Sequence, residues 1–227
     1  MDRSGLTAEA RRFRDRAEAG RLLAERLRDY AGRDDVVVLG LPRGGVPVAY
    51  ELAKALDAPL DVFVVRKLGL PGHEELAMGA IATGGVLVLD ESLLRRLGVQ
   101  EEQLARTVAA EVEELRRREA AYRGDRRPPD LTGKTVILVD DGLATGSTMR
   151  AAAEAVRRYD PARIVVAVPV AAEETCDQFR DLVDEIECAV TPHPFHAVGL
   201  WYQDFAPTTD EEVRELLARA AERKEAP

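Results

Sequence analysis

Five short apolar stretches punctuate the chain: Val36 to Leu41, Asp61 to Val65, Thr135 to Val139, Arg163 to Val170 and Ile186 to Val190. Each has the length of one strand, and their near-continuous hydrophobicity is that of strands covered on both faces. Helical patterns separate them. Residues 7–31 carry Phe13, Ala17, Leu22, Leu23 and Leu27 at helical steps, and VPVAYELAKAL and MRAAAEAVRRY follow the first and third strands. Residues 172–184 read as a helix after the fourth strand, and Thr209 with Glu212 opens a last helix as a capping box. Strands alternating with helices imply an α/β fold: a mainly parallel five-stranded sheet with right-handed crossovers and helices on both faces. A strand order of 2-1-3-4-5 would set the first and third strands side by side. Ligands of such sheets sit beyond the strand ends, where the order reverses.

Residues 66–90 break the alternation. RKLGLPGHEEL is glycine-rich and charged, and GAIATGG with VLVLD reads as a hairpin turned at Gly84-Gly85. A long charged helix runs from Glu101 to about Tyr122, closed by Gly124 and the RRPPD break. Its mixed surface, from Glu111 to Arg118, reads as solvated or oligomer-facing. With no repeat, low-complexity stretch or linker, 1–227 reads as a single domain. Within it, 1–31 and 191–227 form a helical and aromatic cap, and 66–130 a flexible lid hairpin plus a long helical insertion.

Composition removes several functions. A chain of 227 residues, 46% hydrophobic and 32% charged, is neither disordered nor fibrous. Its 41 acids against 32 bases, a net charge of −9, argue against a sequence-independent grip on nucleic acid. No apolar run approaches the ~18–20 residues of a membrane span. The charged N-terminus lacks a signal core, so the chain reads as soluble and cytoplasmic. Cys176 and Cys188 have no CxxC spacing and read as small core residues. The GxGxxG of a dinucleotide site does not follow the first strand, and the full GxxxxGK[ST] pattern of a P-loop is missing.

The loops after the first and third strands hold the chemistry. The third strand runs into Asp140-Asp141-Gly142-Leu143-Ala144-Thr145-Gly146-Ser147-Thr148. Adjacent acids at a strand end repel unless something positive or hydroxyl-rich meets them, and vicinal sugar hydroxyls suit because carboxylates accept charge-assisted hydrogen bonds. Ala144 to Thr148 supply small residues, a glycine and three hydroxyls where a helix starts, which is a phosphate site by its free N–H groups and dipole. A simpler use of Ser147 or Thr148 would be to cap that helix. Acids for a sugar beside a phosphate nest point to a 5-phosphorylated pentose. After the first strand, Pro42-Arg43-Gly44-Gly45 offers close backbone approach and a planar cation. No GxSxG or Cys/His pairing offers a covalent nucleophile.

Val136 to Thr148 closely resembles the signature of type I phosphoribosyltransferases: four apolar residues, two acids, a short variable stretch, then a Thr-Gly turn. The resemblance spans roughly 34–206. RFRDRAEAG, LPRGGVPVA and PFHAVGLWYQDF are similar to a narrower bacterial phosphoribosyltransferase-like group whose membership supplies no acceptor. The resemblance implies binding of phosphoribosyl pyrophosphate (PRPP), with Asp140 and Asp141 on the ribose hydroxyls directly or through Mg2+. It places Ala144, Thr145, Gly146, Ser147 and Thr148 around the 5-phosphate. It gives the pyrophosphate to Arg43, Gly44 and Gly45, and to Arg66 and Lys67 on a mobile lid that also carries His73. Catalysis would rest on Asp140, Asp141, Lys67 and Arg43, with transfer of the phosphoribosyl group to a small nitrogenous acceptor. Phe195, Trp201, Tyr202 and Phe205 lie where the family builds a hood. Phe195 or Trp201 could stack on a flat acceptor, or these aromatics could simply pack the cap onto the sheet. Members acting on 6-oxopurines carry an aspartate before the Thr-Gly pair, and Ala144 stands there instead. The alternative class is a PRPP or nucleotide sensor on the same fold. A homo-oligomer would suit either class.

Overall fold

The computed structural model describes residues 12–70, 73–124 and 126–225. In chain order the elements are α1 (Arg16–Arg26), β1 (Val36–Gly40), α2 (Gly45–Leu56), β2 (Leu60–Val62), β3 (Val65–Leu70), β4 (His73–Ala82) and β5 (Val86–Leu89). They continue through α3 (Glu91–Leu97), α4 (Glu101–Arg123), β6 (Thr135–Val139), α5 (Ser147–Arg157), β7 (Arg163–Val170), α6 (Glu173–Phe179), β8 (Glu185–Val190) and α7 (Asp210–Glu225). Five strands form a wholly parallel sheet in the order β2-β1-β6-β7-β8. This is the expected 2-1-3-4-5, and the order reverses between β1 and β6.

Both faces of that sheet are buried because alternate residues of each strand point opposite ways. Val37, Leu39, Val136, Leu138 and Val166 pack with Met149, Ala152 and Val156 of α5 and Phe179 of α6. Val36, Val38, Ile137, Val139 and Val165 meet Leu23 of α1 and Val48 and Leu52 of α2 on the other side. That double coverage is why the strands read as unbroken apolar runs.

Four readings need correction. The helix expected over 7–31 starts at Arg16, because the Asp15 side chain accepts the Glu18 N–H and caps it. Residues 7–11 of that reading lie outside the described residues. The run from Asp61 to Val65 is split between two sheets: β2 ends at Val62, and β3 begins at Val65. Beyond it, β3, β4 and β5 make a separate antiparallel sheet of three strands. The glycine-rich segment after Lys67 is thus largely strand, with register shifts at Gly69, and the turn before β5 does fall at Gly84 and Gly85, both at positive φ. Finally, Cys176 and Cys188 form a disulfide, joining α6 to β8 across a separation of 12 residues. Their pairing depends on how α6 packs back on the sheet, which spacing cannot reveal.

The insertion helix is partly a core element. Leu115 and Tyr122 are buried with Val62, Met78 and Leu217. Arg123 is buried too, donating to Asp61 Oδ2 at 2.7 Å and to the Val62 carbonyl at 2.7 Å. Its outward face carries ordinary helical pairs such as Glu114 with Arg117 and Arg118. No described helix is long and apolar enough to cross a membrane.

Candidate functional site

The outgoing loops of β1 and β6 touch at the carboxyl edge of the sheet. An ideal Cβ on Gly44 would lie 2.1 Å from Asp141 Oδ2, and one on Gly45 would lie 2.6 Å from the Val139 carbonyl oxygen. Only glycine at both positions lets the loops approach so closely. The Pro42–Arg43 peptide, at the head of this turn, is cis. The Gly45 N–H is given to the Leu41 carbonyl at 3.0 Å, so Gly45 serves the turn by its small size rather than as a donor to a ligand.

After β6 the backbone places Asp140 and Asp141 at the strand end. The Asp140 Oδ1 accepts the Asp141 N–H at 2.9 Å. Burial, then the neighbouring Asp141 charge, pushes the Asp140 carboxyl well above the ordinary aspartate range. Asp141 is raised by burial as well, against the opposing pull of Arg16. Arg16 donates from Nε to Asp141 Oδ2 at 2.9 Å and from Nη1 to the Ala206 carbonyl at 2.8 Å.

Farther along the loop, Gly146 takes positive φ (70°) as the residue before α5, and no side chain caps the helix. The hydroxyls of Ser147 and Thr148 are therefore not spent as caps. Beneath Gly146 lies the Phe179 ring, 2.7 Å from where a Cβ would stand. Thr175 of α6 donates to the Ala144 carbonyl at 2.9 Å, fixing the loop from below. Lys67 of β3 donates from Nζ to Ser147 Oγ at 2.7 Å, and Thr145 Oγ1 lies 3.3 Å from the same oxygen. Lys67, Asp140 and Ala144 to Thr148 line one cavity of about 200 Å3.

Other expected residues lie elsewhere. Arg66, next to Lys67, points to the opposite side of β3 and pairs with Glu111 of α4 at 2.7 Å. The pyrophosphate role expected of it lacks the geometry here. Arg43 is exposed, with Nη1 3.9 Å from Asp210 Oδ1 at the start of α7. Phe195 and Trp201 are half-buried against Phe13, Ala19, Val170 and Tyr202, so in this state they pack the cap. The Trp201 Nε1 is buried with no hydrogen-bond partner among the described residues.

Reading the sequence missed Arg16 and Thr175. Tyr202 proves more central than its neighbours: its hydroxyl donates to the Asp141 carbonyl at 2.6 Å, and its ring stacks on Phe205 at 5.0 Å. Arg16 lies within RFRDRAEAG, a segment that stood out, yet nothing local marks one arginine of that run.

Fold and loops together are those of a phosphoribosyl transferase domain. Residues 14–200 match the family model of that description, and the chain belongs to that family. The Mycobacterium tuberculosis H37Rv protein Rv0571c, named as a candidate phosphoribosyl transferase, is 46% identical over 208 residues, covering 92% of this chain and 47% of its own. The chain thus spans about half the length of the curated relatives it matches. The crystal structure of TT1426 from Thermus thermophilus is 46% identical, with a TM-score of 0.82 over 92% of this chain and 98% of that one. A Roseiflexus protein named "Bifunctional protein PyrR" is 32% identical over 140 residues, 61% of this chain and 57% of its own.

Proposed function

We propose that the chain binds PRPP with Mg2+ and transfers its phosphoribosyl group to a small nitrogenous acceptor, releasing pyrophosphate. One observation carries this reading: a half-buried acid that no described cation pairs and an uncapped, hydroxyl-rich helix start share one cavity. That suits a ligand with sugar hydroxyls at one end and a phosphate at the other.

In this reading Asp140 accepts from the ribose hydroxyls. The N–H groups opening α5, the hydroxyls of Thr145, Ser147 and Thr148, and Lys67 hold the 5-phosphate. The Gly44 backbone lets the pyrophosphate come close, and Arg43 reaches it by leaving Asp210. Breaking the bond from C1 to pyrophosphate develops a cationic sugar and an anionic leaving group, so catalysis is positioning plus fixed charge. No three His, Cys, Asp or Glu side chains among the described residues gather into a metal cage. The donors do fit an ion brought mainly by polyphosphate, since Mg2+ commonly uses one or two carboxylates plus substrate phosphates. Asp140 would hold it; when bound it neutralises charge on the departing pyrophosphate.

A second reading is a PRPP-responsive regulator on the same frame. In its favour, Arg43 stands beside Asp210 rather than facing the acids. Pyrophosphate release from PRPP across a panel of bases and amines separates the two. Release with one acceptor supports the transferase; calorimetric binding of PRPP with no release supports the regulator. No binding at all overturns both.

A further inference from the structure

The two acids do not share one environment. Asp140 lines the cavity with Thr145 to Thr148, and its Oδ2 accepts no hydrogen bond from any described residue. Asp141 does not line that cavity. Its Oδ2 points into the gap left by Gly44, where Arg16 Nε meets it at 2.9 Å. The Arg16 guanidinium is stacked 4.0 Å over the Phe205 ring and bonded to the Ala206 carbonyl. Both side chains are largely withdrawn from water, with 12% of Arg16 and 15% of Asp141 exposed. Tyr202, whose ring also packs beside Arg16 and Phe205, donates its hydroxyl to the Asp141 carbonyl. A planar, fixed guanidinium of this kind orients a carboxylate far more strictly than a flexible ammonium would.

We propose that the pair is divided in labour: Asp140 alone meets the ligand's sugar hydroxyls, while Asp141 is clamped by Arg16, a positioning residue that ties α1 and the aromatic tail to the ligand loop. This rests on the sugar-phosphate reading above. Arg16 also supplies the charge that lets an anionic ligand approach two adjacent carboxylates. Without it, Asp141 is an unpaired buried charge beside Asp140, and it swings or repels the incoming phosphates.

Calorimetric titration of PRPP in Mg2+ buffer tests the division on the full chain. Asp140→Asn lowers affinity on the order of 10- to 100-fold, the loss of a hydrogen bond to a charged group. Arg16→Gln weakens binding by about 10-fold, and adding Asp141→Asn restores it to within about threefold of wild type, because a neutral amide pair replaces the ion pair. If Asp141 itself gripped the sugar, the double variant would bind no better than Arg16→Gln alone, and that result overturns the proposal. Should Arg16→Gln fail to fold, Arg16→Lys carries the test. Keeping the charge while losing the planar geometry, it weakens binding less than Asp140→Asn does, and adding Asp141→Asn restores it to within about threefold of wild type; a loss that Asp141→Asn does not relieve contradicts the clamp. Wild type that fails to bind PRPP refutes the sugar-phosphate reading itself; wild type that binds, with no rescue in the double variant, refutes only the division.

Discussion

At the scale of single residues, the two glycines after Pro42 and the acid at 140 make opposite demands. Gly45→Ala drives a Cβ into the Val139 carbonyl and the Asp140 backbone, neither of which can move without breaking the sheet edge. Overpacking of this kind costs about 1–3 kcal/mol, visible as a lower denaturant midpoint. Asp140→Asn acts the other way. A carboxyl whose folded pKa is raised binds its proton more readily folded than unfolded. Its ionisation therefore weighs on stability as pH rises through the folded value and not at acid pH. Asp140→Asn should raise the thermal midpoint at pH 8 by a few degrees, about 1 kcal/mol at roughly 2–4 °C each for a chain this long, while leaving it nearly unchanged at pH 4. Equal gains at both pH values would show that charge burial is not the cause. Lys67 stands at Ser147, so Lys67→Ala should weaken ribose 5-phosphate and PRPP alike, by about 10- to 100-fold for one hydrogen bond to a charged group. A loss seen only with PRPP would return Lys67 to the pyrophosphate. These residues were legible because acids, glycines and hydroxyls in series leave few other uses. Arg16 was not, since it meets Asp141 across 125 positions and nothing near it in the chain records the contact.

At the scale of elements, the parallel strands were legible and the second sheet was not. Strands buried on both faces declare themselves as continuous apolar runs, which is why β1, β6, β7 and β8 fall close to their expected places. In β3, charged Arg66 and Lys67 interrupt the pattern because one faces α4 and the other the ligand loop. A functional strand thereby loses the signature of a strand. The charged surface of the insertion helix α4 reads as solvated or oligomer-facing, and its pattern does not show that the helix buries its far end over β2 through Arg123 and Asp61. Burial, against the attraction of Arg123, raises the Asp61 carboxyl. Arg123→Ala leaves Asp61 buried without its cation, a loss of about 3–5 kcal/mol, and Arg123→Ala with Asp61→Leu should recover most of it. Guanidinium denaturation of the three proteins decides this. If the double variant is as unstable as the single one, the pair matters for packing rather than for charge.

Across the whole molecule, one connection reaches from the disulfide to the phosphate loop. Cys188 of β8 holds Cys176 of α6, and α6 supplies Thr175 to the Ala144 carbonyl and the Phe179 ring beneath Gly146. Cys176→Ser with Cys188→Ser should cost about 2–4 kcal/mol of stability. It should also weaken phosphate-bearing ligands more than it changes the far end of the sheet. Free-thiol titration of the native protein checks the starting point: no reactive thiol under native, non-reducing conditions, and two after reduction and unfolding. The central question for the molecule is whether the cavity between Asp140 and the start of α5 takes a phosphorylated pentose. Calorimetry of PRPP with Mg2+ against wild type, Asp140→Asn and Ser147→Asp tests this most directly. Wild type should bind, and either substitution should lose at least about 10-fold, one by removing the sugar's acceptor and the other by setting a negative charge in the phosphate nest. Equal binding by all three would contradict the account.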